Sequence, residues 1–173
     1  MAEDTSERAT IERASIERAS IERASGQAAM TGGCRCGATR YGLTLDVPLR
    51  VYACHCLDCQ TWSGSAFTQQ ALLPAEALAV AGPTATYVHA TPRGFVSTQT
   101  VCAVCHTRIC NTNTAAPGMV VLRAGTLDAS DRLEPAAHIW TRRKQPWLAL
   151  PDGVPAWDES PTPDAFAAAL RDP

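Results

Sequence analysis

Seven of the eight cysteines stand in three tight groups: Cys34-x-Cys36, Cys54-x-Cys56-x-x-Cys59 and Cys102-x-x-Cys105. No other feature of the chain constrains its fold as much. Cysteines one or two residues apart can turn their sulfurs toward one point, and Gly37 after Cys36 permits a sharp bend. Two such half-sites, distant in sequence, make one four-cysteine tetrahedron, the usual structural zinc arrangement. Cys34, Cys36, Cys102 and Cys105 are therefore expected to clamp the start of the folded chain to its middle.

The remaining group, "ACHCLDC", places three thiolates in what reads as one short turn. A catalytic zinc takes three protein ligands and keeps one position open. Cys54, Cys56 and Cys59 fit that pattern, giving two zinc ions per chain, one structural and one open to water or substrate. Three residues compete with this reading. Cys110, in "TRICN", could close the second site, or it could be a small buried hydrophobe. His55 lies between two ligands, so in extended backbone its side chain points away from theirs and lines the pocket behind them. His106 follows Cys105 and reads as a surface residue or a hydrogen-bond partner near the first metal.

Aromatic residues are 6% of the chain although hydrophobic residues are 46%. A core that lean gains from metal ions that bind only the folded state. Residues 1–29 hold six acids and four arginines, so of 17 acids and 15 bases eleven of each remain for residues 30–173. Without a basic excess there is no footprint for nucleic acid. No stretch reaches the length of a membrane span, and the charged N-terminus lacks the apolar centre of a secretory signal. The expected compartment is the cytosol, where cysteines stay reduced and serve as metal ligands or reactive thiols.

Residues 6–25 read "SERAT" and then "IERAS" three times. A period of five spreads Ile11, Ile16 and Ile21 around a helix instead of along one face. Residues 1–29 are thus expected to be a disordered or weakly helical tail. Met30 opens a different text and is a candidate for an original start.

From there the pattern is short strands between glycines and prolines. "ATRYGLTLD", "SAFTQQALLP", "LAVAG", "TATYVHA", "GFVSTQTVC", "MVVLRAG" and "AHIWTRR" read as strands, with one helical turn at Pro74–Leu78. The clearest helix is last: Thr162 caps it, Pro163 takes the first position, and an alanine-rich run continues to Leu170. The expected organisation is a domain over 30–161 and a helical end over 162–173.

"TGGCRCGATRY", "CHCLDCQTWSGSAF", "CAVC", "AGTLD" and "HIWTRRKQPWLALPDGVPAWDESP" together resemble the glutathione-dependent formaldehyde-activating enzyme family, which includes centromere protein V, over about residues 31–161. The resemblance implies a mainly-β, zinc-bearing β-tent. It matches Cys34, Cys36, Cys102 and Cys105 to the structural ligands and Cys54, Cys56 and Cys59 to the catalytic ones. It also implies a carbon–sulfur lyase that joins glutathione to formaldehyde as S-(hydroxymethyl)glutathione. Three positions depart from the family pattern. Gln99, Val101 and His106 stand where an arginine, an aromatic and a glycine are usual, which removes a cation and obliges the second cysteine pair to make its bend differently.

The expected function is a zinc-dependent carbon–sulfur lyase acting on a small thiol adduct or aldehyde, with glutathione as one candidate thiol. A non-enzymatic zinc-supported binding module, its second metal closed by Cys110 or a histidine, is the alternative. A thiol-based metal or redox buffer is a third reading. Near the open site, Gly64 and Ser65 could offer amides to an anion. Arg142, Arg143 and Lys144, between Trp140 and Trp147, could meet a carboxylate, and His138 could act as general acid or base.

Overall fold

The computed structural model describes residues 30–91 and 93–171. The repeat segment expected as a tail lies outside them. The described chain is mainly β with a short C-terminal helix. Its first strands are β1 (Met30–Gly33), β2 (Arg40–Leu43), β3 (Val51–Cys54) and β4 (Thr68–Pro74). There follow β5 (Leu78–Ala81), β6 (Thr84–Ala90), β7 (Val96–Cys102) and β8 (Arg108–Asn113). The last are β9 (Met119–Arg123), β10 (Pro135–Ile139) and β11 (Ala156–Trp157); the helices are α1 (Leu57–Ser63) and α2 (Pro163–Arg171). No helix among the described residues is long and apolar enough to cross a membrane.

The chain divides into two compact units. The first comprises described residues 30–46, 72–122 and 126–129. In it β1, β2 and β5 form an antiparallel sheet with β2 in the centre, while β6, β7 and β8 run as an antiparallel meander continued by β9. Tyr41, Ile109 and Leu122 are the largest of its fully enclosed apolar side chains. Gly32 is required here, because a Cβ would stand 2.2 Å from the Tyr41 hydroxyl. That hydroxyl is itself held by Thr126 Oγ1 at 2.8 Å.

The second unit comprises residues 47–71, 123–125 and 130–171. Its strands lie in the order β11, β10, β3, β4, with β10 parallel to both neighbours and β3 antiparallel to β4. Helix α2 forms as its signals predict: Thr162 Oγ1 accepts the Ala165 N–H at 3.3 Å and Asp164 sits in the first turn. Its Phe166 meets the Tyr52 ring edge-on, centroids 4.8 Å apart.

Most strands anticipated from alternation are present, but the second unit holds three differences. β3 has no alternation to detect, since all four of its residues are buried. Helix α1 spans only seven residues, too few for a periodic signal. "ACHCLDC" is consequently not one turn but the end of a strand, a helix cap and a first helical turn. "AHIWTRR" stops as a strand at Ile139, because Trp140 takes a left-handed φ of 60° and Thr141–Arg143 coil into a 3-10 turn.

Candidate metal centres

The first centre is built from two knuckles. In one, Cys34 N–H donates to Thr39 O and Gly37 N–H returns to Cys34 O, while Thr39 N–H donates to Cys34 Sγ at 3.2 Å. Gly37 makes this bend at φ 79°. In the other, Cys102 closes β7, its Sγ accepts the Val104 N–H at 3.4 Å, and His106 N–H donates to Cys102 O. The two knuckles meet: Cys36 Sγ is 3.8 Å from Cys102 Sγ and 3.4 Å from Cys34 Sγ, and all four sulfurs lie within 4.8 Å of one another. A zinc–sulfur bond of about 2.3 Å in a tetrahedron places sulfurs about 3.8 Å apart. Four cysteine sulfurs at this spacing are a donor set that fits zinc. Thr107, through its hydroxyl and amide, draws the Cys105 thiol down to about 5, toward the thiolate a metal needs.

The bend after Cys105 is made by His106 itself, in the left-handed region at φ 58°. The exposed imidazole thus does what a glycine would do more cheaply. Left-handed backbone costs a non-glycine residue about 1–2 kcal/mol, and glycine returns about 0.5–1 kcal/mol of that through the unfolded chain. His106→Gly is expected to raise stability by about 0.5–1 kcal/mol, measured as a higher denaturant midpoint at unchanged slope. A lower midpoint would show that the imidazole supports the site.

The second centre lies in the second unit. Cys54 ends β3, Cys56 caps α1 by accepting the Cys59 N–H at 3.4 Å, and Cys59 stands in the first turn of α1. Their sulfurs again lie within 4.8 Å of one another, so three ligands fit one zinc. No fourth cysteine, histidine or carboxylate among the described residues joins them, and Cys110, buried in β8, belongs to neither group. The Cys54 and Cys56 thiols donate toward Cys59. They draw it well below the ordinary thiol value against the penalty of burial, with the Thr68 hydroxyl and the Arg123 guanidinium adding to the effect. Cys54 is pushed up by those same sulfur contacts and by burial.

Sheet register explains what surrounds this centre. Tyr52 and Cys54 are two apart, so they share one face of β3, and their partners across the ladder are Gln70 and Thr68. Gln70 Nε2 donates to Cys59 Sγ at 3.2 Å and to Thr68 Oγ1 at 2.6 Å, while its Oε1 accepts the Tyr52 hydroxyl at 2.8 Å. Gln70, Thr68, Tyr52 and Arg123 did not stand out in the sequence. The available signal was a glutamine two residues past a threonine in a strand, uninformative while β3 is unrecognised.

His55 is fully buried. Its Nε2 lies 3.0 Å from His138 Nδ1, the two rings stack with centroids 5.3 Å apart, and Phe67 packs on His55. Burial first, then the charges of His138 and Lys144, hold His55 down to about 4, and burial lowers His138 as well. Both imidazoles are neutral in the folded chain near pH 7. The unfolded chain takes up protons at the ordinary value of 6.5, so stability present above that pH is lost as pH falls from 6.5 toward 4. A tenfold difference in proton affinity between the folded and unfolded chain is worth about 1.4 kcal/mol, so His55 alone accounts for about 2–3 kcal/mol. Thermal unfolding followed between about pH 7 and about pH 5 checks this, and an unchanged melting temperature would contradict it.

The basic run is placed by Gln60, next to Cys59 in α1. Gln60 Nε2 donates to His55 O at 2.7 Å and to Arg143 O at 2.8 Å, tying the two backbone segments together. Arg142 pairs with Glu159 and lies over Trp140, and Lys144 donates to Leu148 O at 2.6 Å. The Arg143 guanidinium is exposed and has no side-chain partner among the described residues. Gly64 caps α1 at φ 62°, its N–H bound to Gln60 O at 2.9 Å, so this amide is spent on the helix and is not offered to an anion. Gln99, in the first unit, is buried; it donates to Ser97 Oγ and accepts from Arg108 Nε at 2.7 Å. Val101 stands opposite Ala85 in the β6–β7 ladder.

Residues 29–143 match the profile of a family described as glutathione-dependent formaldehyde-activating enzyme. Among solved structures, a Rhodobacter sphaeroides protein from a structural-genomics programme is similar. It is 18% identical, with a TM-score of 0.47 over 57% of this chain and 88% of that one. No curated protein matches the chain.

Proposed function

Because the chain belongs to the glutathione-dependent formaldehyde-activating enzyme family, we propose that it makes and breaks a carbon–sulfur bond between a small thiol and an aldehyde. The observation that carries this reading is the three-sulfur centre with no fourth protein ligand among the described residues. Zinc held by Cys54, Cys56 and Cys59 would supply a position able to lower a thiol's pKa or polarise a carbonyl oxygen. In the forward direction the thiol sulfur attacks the aldehyde carbon, the C=O π pair moves to oxygen, and the thiol proton ends on that oxygen. Nothing is oxidised or reduced.

The chain's own residues supply the setting. Cys34, Cys36, Cys102 and Cys105 would hold a structural zinc. His55 and His138, buried and engaged with each other, brace the segment that carries the triad; this geometry favours support over acid–base work for His138. Gln60 fixes the segment bearing Arg143, whose exposed guanidinium suits the carboxylate of an anionic thiol such as glutathione. The buried Gln99 leaves that recognition to cations elsewhere.

The test is zinc-loaded protein with formaldehyde and a panel of thiols, including glutathione and uncharged thiols, with adduct formation followed by NMR exchange. Thiol-dependent acceleration over the uncatalysed reaction is expected, strongest for carboxylate-bearing thiols. No acceleration with any thiol would sink the lyase reading in favour of a binding role.

A further inference from the structure

The polar chain behind the open centre has a direction. The Tyr52 hydroxyl donates to Gln70 Oε1, and Gln70 Nε2 donates onward to Cys59 Sγ. All three residues are at most 8% exposed, so no bulk water competes for these groups. The Gln70 amide has only two orientations. One turns N–H groups toward the sulfur and Thr68 Oγ1; the other would set its carbonyl oxygen against a thiolate. The ionised sulfur, which can only accept, excludes the second; in the first, the Tyr52 hydroxyl donates to the outward-turned carbonyl oxygen and holds it there. Phe166 packs edge-on against the Tyr52 ring, centroids 4.8 Å apart, and fixes it.

We propose that Gln70 is a positioning residue for the metal centre, with Tyr52 as its orienting partner, and that Gln70 acts by donating an N–H hydrogen bond to the sulfur of Cys59. This deepens, and rests on, the reading of Cys54, Cys56 and Cys59 as an open zinc site. Three thiolates around a divalent cation leave the centre with a net negative charge, a poor starting point for polarising an aldehyde or holding a second thiolate. An N–H donor withdraws charge from one of those sulfurs and aims it at the metal. Cys59 receives its N–H from the Gln70 side chain at 3.2 Å, whereas Cys56 receives a backbone N–H, that of Cys59, at 3.4 Å.

The experiment uses cobalt as the optical probe and zinc for release, in the full chain and in the variants Gln70→Leu, Tyr52→Phe and the pair combined. Loss of the donor makes the sulfur more electron-rich, so the sulfur-to-cobalt charge-transfer band of Gln70→Leu is expected at lower energy. Zinc transfer to a chelator is expected to be about tenfold faster. Tyr52→Phe should move both readouts the same way by less. The double variant should match Gln70→Leu, because Tyr52 works only through the amide.

A merely structural role would lower the melting temperature without moving the band. An unmoved band in either variant, or a double variant that shows the summed effects, overturns the proposal. If Gln70→Leu does not fold, Tyr52→Phe decides alone. Neither readout needs turnover, so a moved band in a protein that adds no thiol to formaldehyde overturns the lyase reading and leaves this one standing. A wild-type chain that binds a single cobalt overturns the open-site reading and this proposal with it.

Discussion

Cys102→Ser is expected to leave the chain without a cooperative unfolding transition. The sulfur of Cys102 is completely enclosed and sits 3.8 Å from that of Cys36, a residue 66 positions earlier. A zinc at the four-cysteine centre would join these two knuckles, and such a zinc contributes about 10–16 kcal/mol of folding free energy in small metal-dependent domains. A whole domain is stable by only about 5–15 kcal/mol. Even a fraction of the metal's contribution is therefore decisive in a chain whose aromatic content is 6%. Serine keeps the volume but binds zinc far less well than a thiolate. The check is calorimetry with zinc content on the same sample. A variant that melts within a few degrees of the parent would mean that this centre holds no metal that matters to folding.

Cys56→Ser should behave in the opposite way. Cys56 caps α1 through its side chain, and serine is among the best helix caps. The substitution therefore removes one of three ligands while keeping, or improving, the local structure. The expected result is a near-normal melting curve, one zinc per chain in place of two, and thiol–aldehyde addition reduced about a thousandfold. That factor corresponds to the several kcal/mol a metal's charge supplies at a reacting oxygen or sulfur. Global unfolding of Cys56→Ser would instead make the second centre structural. Retained activity would exclude the triad from the chemistry. The contrast between Cys102 and Cys56 is sharper than either result, since both lose one sulfur from a cysteine cluster.

The cysteine groupings were legible in the sequence because thiolate spacing reports which sulfurs can meet: two knuckles, and a triad that reads as one short turn although the chain splits it over a strand end and a helical turn. The mainly-β class and α2 were legible for the same reason, since alternation, turn residues and a Thr-Pro cap act locally. What surrounds the triad was not. β3 carries no alternation because both its faces are covered, and α1 is too short to show a period. Without β3 there was no register to bring Gln70 opposite Tyr52 or Thr68 opposite Cys54. The meeting of His55 with His138, 83 positions apart, likewise depends on the parallel pairing of β3 with β10, which neither segment announces. His106 illustrates a different limit. Its identity suggested a changed bend, whereas the backbone kept a left-handed turn and accepted the strain.

The most direct test of the account is anomalous diffraction at the zinc edge from crystals of zinc-loaded protein grown without added thiol. Two zinc peaks are predicted. One is bound by Cys34, Cys36, Cys102 and Cys105, and the other by Cys54, Cys56 and Cys59 with water as the fourth ligand. A second zinc closed by Cys110 or by a histidine, or no second zinc at all, would contradict it.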